Sequence, residues 1–233
     1  AMLMRLADVF APLGDWMYPL LSALAALTIL FGNLAALTQR NLKRLMGLSG
    51  VSHAGFLMLG VIASRTVEWA GTAVLFYLFA YLLASIAVFA VMAHIDGASD
   101  SQLSLDDLGD LAKRNGFLGL ALAVGVGSLG GIPPLAGFIG KLLIFVAAFQ
   151  AERYGLLSVA VVGVVISIYY YFGIIKAAFF EAWRFSEDEE KTAEHVPGSR
   201  LGFFGKLAIV MVVAGTIVIG FYQAPLSSML AGG

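Results

Sequence analysis

The placement of acidic residues constrains this chain more than any other feature. All fifteen Asp and Glu residues fall in a few short places: Asp8 and Asp15, Glu68, the segment 96–110, Glu152, and the segment 181–194. Six long apolar stretches run between them, at 16–38, 45–64, 69–93, 116–150, 155–176 and 203–228. A helix that crosses a membrane needs about 20 predominantly apolar residues. A barrel strand needs about 10, with strict alternation. These stretches are far longer than strands and apolar on all sides, so they read as helices. Composition agrees: 60% of the residues are hydrophobic, only 12% are charged, and the mean hydropathy is +0.91. A soluble domain carries about 25% charged residues. The net charge of −1 leaves no basic field to attract nucleic acid. The lack of Cys excludes disulfides, thiolate metal sites and iron–sulfur clusters in this chain. An all-α integral membrane protein is the class that remains.

The opening, Ala1 to Pro12, resembles neither a signal peptide nor a complete span. Residues 1–15 therefore read as the end of a helix whose beginning is missing. The fourth stretch is the odd one. As a single helix its 35 residues would measure about 52 Å, against a hydrocarbon core of about 30 Å. Its middle reads Gly130-Gly131-Ile132-Pro133-Pro134-Leu135-Ala136-Gly137. Either two short spans form a hairpin, or one helix is broken in mid-membrane.

Charge asymmetry decides between them, because basic residues collect in cytoplasmic loops. With one crossing, one side holds Arg40, Lys43, Arg44, Lys113, Arg114, Lys176, Arg184, Lys191, Arg200 and Lys206, and the other holds Arg5, Arg65 and Arg153. That is ten against three. With two crossings the later loops change sides and the count becomes six against seven. The chain is therefore expected to have six transmembrane helices plus a partial N-terminal one, with 116–150 broken at mid-membrane. Loops 39–44, 94–115 and 177–202 are expected to be cytoplasmic, with the C-terminus on the opposite side. The expected divisions are 1–15, a five-helix unit over 16–180, a loop over 181–202 and a last helix over 203–233.

Lys141 is the only Lys, Arg, Asp or Glu deep inside any of the six stretches. A Lys at the bilayer centre costs about 2.5–3.5 kcal/mol on insertion scales, and such residues mark ion and proton paths. The bland alternative is a Lys paired with a carboxylate as packing glue, but no acid of this chain lies in any span. The neighbouring break supports a functional role. Irregular backbone at membrane depth persists only where it is buried in protein or lines a water-filled cavity, and broken helices recur at transporter ion sites. The alternative, a simple proline kink, fits less well, because Pro133 and Pro134 lie among several glycines, Gly137 included.

His53 is the other titratable group at depth, and Ser49 shares its helix face at i, i+4, with Ser52 adjacent. A His relays protons. Equally, a neutral His hydrogen-bonded to a neighbouring helix would fit the small residues around it. His94 ends a span and reads as interfacial. Other matches fail their context. Gly125-Val126-Gly127-Ser128-Leu129-Gly130 fits a dinucleotide-binding pattern but follows no strand. Asp106, Asp107 and Asp110 read as a solvated connector, and the run 187–190 has no metal-ligand spacing. Tyr169-Tyr170-Tyr171 reads as an interfacial aromatic anchor.

Three segments together resemble a known family. The segment 41–55, NLKRLMGLSGVSHAG, resembles the NIKRLLAYSSISHxG segment of the proton-pumping membrane subunits of respiratory complex I. Mrp-type cation/proton antiporters and membrane-bound hydrogenases share that segment. The segment 129–141, LGGIPPLAGFIGK, resembles the LAGIPPLAGFIGK broken helix of the same family, and 167–176 looks like the YYYLRIIK stretch typical of its subunit N branch. Two departures are Gly173 in place of a common Arg, and Gly50 in place of a second Ser.

The resemblance implies the second inverted repeat of the antiporter-like fold, from the end of the eighth family helix through the fourteenth. It therefore implies the C-terminal half of such a subunit. It places Lys141 on the family's proton-site lysine in the broken helix and His53 on the histidine of a water-filled relay. Ser49, Ser52, Pro133, Pro134 and Gly137 would support them. The activity implied is proton translocation as a subunit of NADH–quinone oxidoreductase. This chain itself would hold no cofactor or metal. NADH, FMN, iron–sulfur clusters and quinone would belong to partner subunits. The implied setting is a bacterial plasma membrane, among other complex I membrane subunits, with a neighbouring antiporter-like subunit facing Lys141. The alternatives are a Mrp-type antiporter subunit, or a structural fragment that conducts nothing alone.

Overall fold

The computed structural model describes residues 16–96, 103–109, 111–180 and 202–222. They form α1 (Met17–Leu37), α2 (Leu42–Ala63), α3 (Ala70–Asp96), the single turn α4 (Leu111–Arg114), α5 (Gly116–Gly130), α6 (Ala136–Gln150), α7 (Tyr154–Phe179) and α8 (Phe203–Phe221). A short 3-10 turn spans Asp106–Leu108. The expected partial helix at 1–15 and most of the loop at 181–202 lie outside the described residues, as do Asp110 and the run 187–190. Among the described residues five helices, α1, α2, α3, α7 and α8, are long and apolar enough to cross a membrane. The 21 residues of α1 measure about 31 Å, close to the hydrocarbon thickness.

Local chemistry sets the helix starts. The Asn41 side chain accepts from Arg44 N–H at 3.0 Å, and Asn115 accepts from Leu118 N–H at 3.3 Å. Each satisfies a donor that has no partner within its own helix. The buried stripe of α1 is Ala25, Ile29, Gly32, Asn33 and Ala36. Its other face, with Leu20, Leu24, Leu27 and Phe31, is exposed and equally apolar, as suits a helix facing lipid or another membrane chain. Against α2 the stripe packs backbone to backbone. A Cβ on Gly32 would lie 2.6 Å from Ser52 N, and one on Gly55 would lie 2.9 Å from Ile29 N. Small residues permit this approach, which supplies the dispersion contacts that hold helices together in lipid. The central helix is α3, which packs against α2, α5, α6 and α8.

The two ends of the bundle are distinguishable. At one end Lys43 and Asp96 form a 2.6 Å ion pair. There Leu42 N–H donates to Leu103 O at 2.8 Å, and Leu105 N–H donates to Arg40 O at 3.1 Å. The tip of α7, with Ile174 and Ala178, shares one apolar cluster with Leu108 and Leu111 at this end. At the other end Ala147 and Ala151 cluster with Ala63, Val67 and Ala70, and Trp69 Nε1 donates to Gln150 Oε1 at 3.1 Å. Thus α5 begins at the first end and α6 finishes at the second. Residues 116–150 run from end to end in two pieces and do not turn back as a hairpin.

Candidate functional site

The break between α5 and α6 is built from a helix stop, a short irregular segment and a helix start. Gly131, at φ +81°, ends α5 in a left-handed conformation that a side chain would strain. Gly131 N–H donates to Ser128 O at 3.1 Å, and Ile132 N–H donates to Gly127 O at 2.8 Å. This pair of bonds is the Schellman stop. The Pro133–Pro134 peptide bond is cis.

Two side chains then tie the half-helices together reciprocally. From α6, Lys141 Nζ donates to Leu129 O at 2.7 Å, near the carbonyl end of α5. From α5, Ser128 Oγ accepts the Gly137 N–H of α6 at 3.0 Å. A cation suits the negative end of a helix dipole, and a hydroxyl suits unpaired N–H groups at a helix start. Gly137 is where α6 presses on α5, since a Cβ there would collide with the Ser128 carbonyl oxygen.

Lys141 is only 4% exposed. Its Nζ lies 5.3 Å from the centroid of the Phe56 ring, within cation–π range. Among the described residues it has no carboxylate partner. Phe56 also meets the His53 ring, edge-on, with centroids 6.3 Å apart. Phe56 therefore stands beside both candidate carriers.

His53 is 2% exposed and sits among tyrosines. Its Nδ1 pairs with the Tyr77 hydroxyl of α3 at 2.5 Å, and its Nε2 pairs with the Tyr171 hydroxyl of α7 at 3.0 Å. Tyr171 also pairs with Ser49 Oγ. Ser52 Oγ donates to Ser49 O at 2.9 Å and does not bond His53. Beside them Tyr170 donates to Asn33 Oδ1 of α1 at 3.0 Å. The fold thus joins Ser49 and His53 in one cluster and Lys141 and Gly137 in the break. Pro133 and Pro134 shape the break from its exposed side.

Two readings of the sequence change. Tyr169 is 75% exposed, as an interfacial anchor should be, but Tyr170 and Tyr171 are buried and belong to the His53 cluster. Gly50 is more than a departure from the family segment. A Cβ there would lie 3.2 Å from the Tyr81 hydroxyl, so glycine makes room for another tyrosine beside His53. The residues that reasoning from sequence missed are Tyr77, Tyr170, Tyr171, Asn33, Phe56 and Ser128. Asn33 carried a usable signal, being a polar amide in the middle of an apolar run.

A family profile described as NADH:quinone oxidoreductase/Mrp antiporter, transmembrane, matches residues 1–167. The chain belongs to that family. A relative in Opitutus terrae, NADH-quinone oxidoreductase subunit N 1, is 56% identical over 231 residues, which cover 98% of this chain and 45% of the relative. NADH-quinone oxidoreductase subunit N 2 of Solidesulfovibrio magneticus is 39% identical over 229 residues, 98% of this chain and 46% of that one. A chain of respiratory complex I from Thermus thermophilus superposes with a TM-score of 0.77 at 35% identity, covering 92% of this chain and 46% of its own length. The Mrp complex from Dietzia gives a TM-score of 0.76 at 22% identity over 93% of this chain and 46% of its own, which is a likeness of fold. The chain spans about half the length of the curated relatives it matches. Within the family, Lys141 and His53 lie inside the matched region, whereas Tyr170, Tyr171 and α8 lie beyond it.

Proposed function

We propose that this chain translocates protons as part of the antiporter-like subunit N of a NADH–quinone oxidoreductase. The observation that carries the proposal is the Lys141 amine, buried at a helix break among long apolar helices and beside the same Phe56 ring as a histidine–tyrosine cluster. An amine there is costly, and its role follows from that cost. Kinship to relatives named subunit N supports the choice of complex. The end-to-end run of 116–150 supports six crossings in 16–228, with the break near mid-membrane, and a five-helix repeat over 16–180. The cytoplasmic side is then the end that holds the Lys43–Asp96 pair.

In this reading Lys141 takes up and releases a proton, and His53 with water connects it to the rest of the path. Ser49 and Ser52 extend that path, while Pro133, Pro134 and Gly137 keep the helix open. No redox step occurs in this chain. NADH, FMN, iron–sulfur clusters and quinone act in partner subunits, within a bacterial plasma membrane. A carboxylate of a neighbouring antiporter-like subunit biases Lys141 through its field, because so buried an amine leaves little room for direct pairing. Lys141→Ala in the native protein tests this. Proton pumping is expected to fall at least about tenfold while complex assembly persists. Unchanged pumping at equal assembly would refute the role. Affinity purification from native membranes tests the choice of complex. Redox subunits with NADH–quinone activity support it, and antiporter subunits without them move the function to cation/proton exchange.

A further inference from the structure

The His53 cluster extends through four helices, and its two ends fix the direction of its hydrogen bonds. At one end Asn33 Nδ2 donates to Ile29 O at 2.8 Å, which leaves Oδ1 facing Tyr170. An amide oxygen only accepts, so Tyr170 donates to it, and the Tyr170 oxygen is left to accept. Ser49 can accept from Tyr171 and turn its own O–H to a carbonyl one turn back in its helix.

At the other end the Tyr77 hydroxyl has one partner among the described residues, His53 Nδ1. A neutral imidazole donates through one nitrogen and accepts through the other. If Nδ1 carried the proton, Tyr77 would have to accept, and its own buried O–H would find no acceptor. If Nε2 carries it, Tyr77 donates to Nδ1, Nε2–H donates to Tyr171, Tyr171 donates to Ser49, and each donor is used. The two arrangements differ by one stranded buried donor. That difference favours the second by about tenfold to a hundredfold.

We propose that His53 stands as the Nε2–H tautomer, with Tyr77 as the positioning residue that donates to its Nδ1, giving a polarised chain from Tyr77 through His53 and Tyr171 to Ser49. His53 then presents its transferable proton to α7, and presents to α3 only a lone pair ready to accept one. A proton that arrives at Nδ1 forms the imidazolium, and release from Nε2 to the Tyr171 side returns a neutral ring. The chain then resets when the tautomer does. Its bearing on transport rests on the proton-relay reading above, but the tautomer itself does not.

The test is ¹⁵N magic-angle-spinning NMR of the native protein in its complex, labelled at the histidine ring nitrogens, with His53 identified by difference against His53→Gln. The wild-type spectrum is expected to show a proton-bearing Nε2 and a bare Nδ1 for His53. In Tyr77→Phe, which keeps the ring and removes the hydroxyl, the Nε2–H form is expected to persist, because an Nδ1–H would then be the stranded donor, while the Nδ1 resonance moves as its hydrogen bond is lost. A wild-type His53 protonated on Nδ1 overturns the proposal. So does an Nδ1 resonance that is unchanged in Tyr77→Phe. Proton pumping of Lys141→Ala is read separately, so failure of the transport reading leaves a distinct signature.

Discussion

Lys141 and His53 neighbour the same phenylalanine and are held in opposite ways. Both ring nitrogens of His53 are bonded, each by a tyrosine from a different helix. Lys141 offers three N–H donors and uses one, on Leu129 O, with the face of Phe56 nearby. A fully bonded group in a tight cluster is fixed in place and in proton position. A group with donors to spare has a reason to recruit water or to move. In the proposed reading the difference separates the roles: His53 passes protons along a fixed chain, and Lys141 switches. It also places the irregular backbone beside the switching group, where a second state costs least.

The comparison breaks most completely at Lys141 itself, where Lys141→Ala is expected to abolish most pumping and leave assembly in place. Lys141→Arg sharpens the point. It keeps the charge and a donor for Leu129 O but is not deprotonated in proteins. Pumping is expected to stay as low as in the alanine variant, measured by vesicle acidification. Recovery to near the wild-type rate would show that Lys141 serves only as a cap on α5.

Next in size is Gly137→Val. Its side chain would meet the Ser128 carbonyl at the point where α6 rests on α5. The half-helices must then separate, so both the Lys141–Leu129 and Gly137–Ser128 bonds are expected to fail together. Low yield of assembled complex is the expected result, with Gly137→Ala intermediate. Normal assembly and pumping in the valine variant would mean that the break tolerates a different packing. A related contact comes from α8, where a Cβ on Gly220 would collide with the Pro134 carbonyl oxygen. The last helix thus packs over the break, outside the region that the family profile matches.

What could be read in advance divides along the same line. Lys141 and the break stood out because one charge and two prolines interrupt an otherwise uniform run. The tyrosines did not. Which of Tyr169, Tyr170 and Tyr171 faces inward depends on helix phase, set by buried Ser167, Ile174 and Ala178. In a soluble helix the polar face reveals that phase. Here the exposed positions Val161, Val165, Ile168 and Phe172 are as apolar as the core, so the pattern carries no phase. Phe56 was hidden for the same reason, as one apolar residue among many. That 116–150 does not turn back as a hairpin was available, because it rests on charge in the loops and not on helix phase.

Phe56→Leu tests the separation between the two groups. The ring is 1% exposed and touches the Lys141 amine and the His53 ring. Leucine keeps most of the volume and removes the π face, which in a desolvated site contributes about 2 kcal/mol to holding a cation. Pumping is expected to fall several-fold, while His53 keeps its tautomer because both its tyrosine partners remain. A changed tautomer would mean that the two groups are one unit.

The smallest effect expected is that of Ser128→Ala. The hydroxyl satisfies one N–H at the start of α6, and loss of such a cap costs about 1 kcal/mol. In water the freed Gly137 N–H would be solvated. Here its carrier is buried, and a bilayer supplies no replacement. Two outcomes can be distinguished by comparing thermal stability with pumping. If water already reaches the break, it takes over the bond, stability drops by about 1 kcal/mol or less, and pumping is nearly unchanged. If the break is dry, the stranded donor destabilises α6 by about 1–3 kcal/mol, and Lys141 moves with its helix. The proton-relay reading requires the wet result, because a lysine that exchanges protons through a helix break needs water there. A dry break would leave Lys141 with its cap on α5 and no path to exchange a proton.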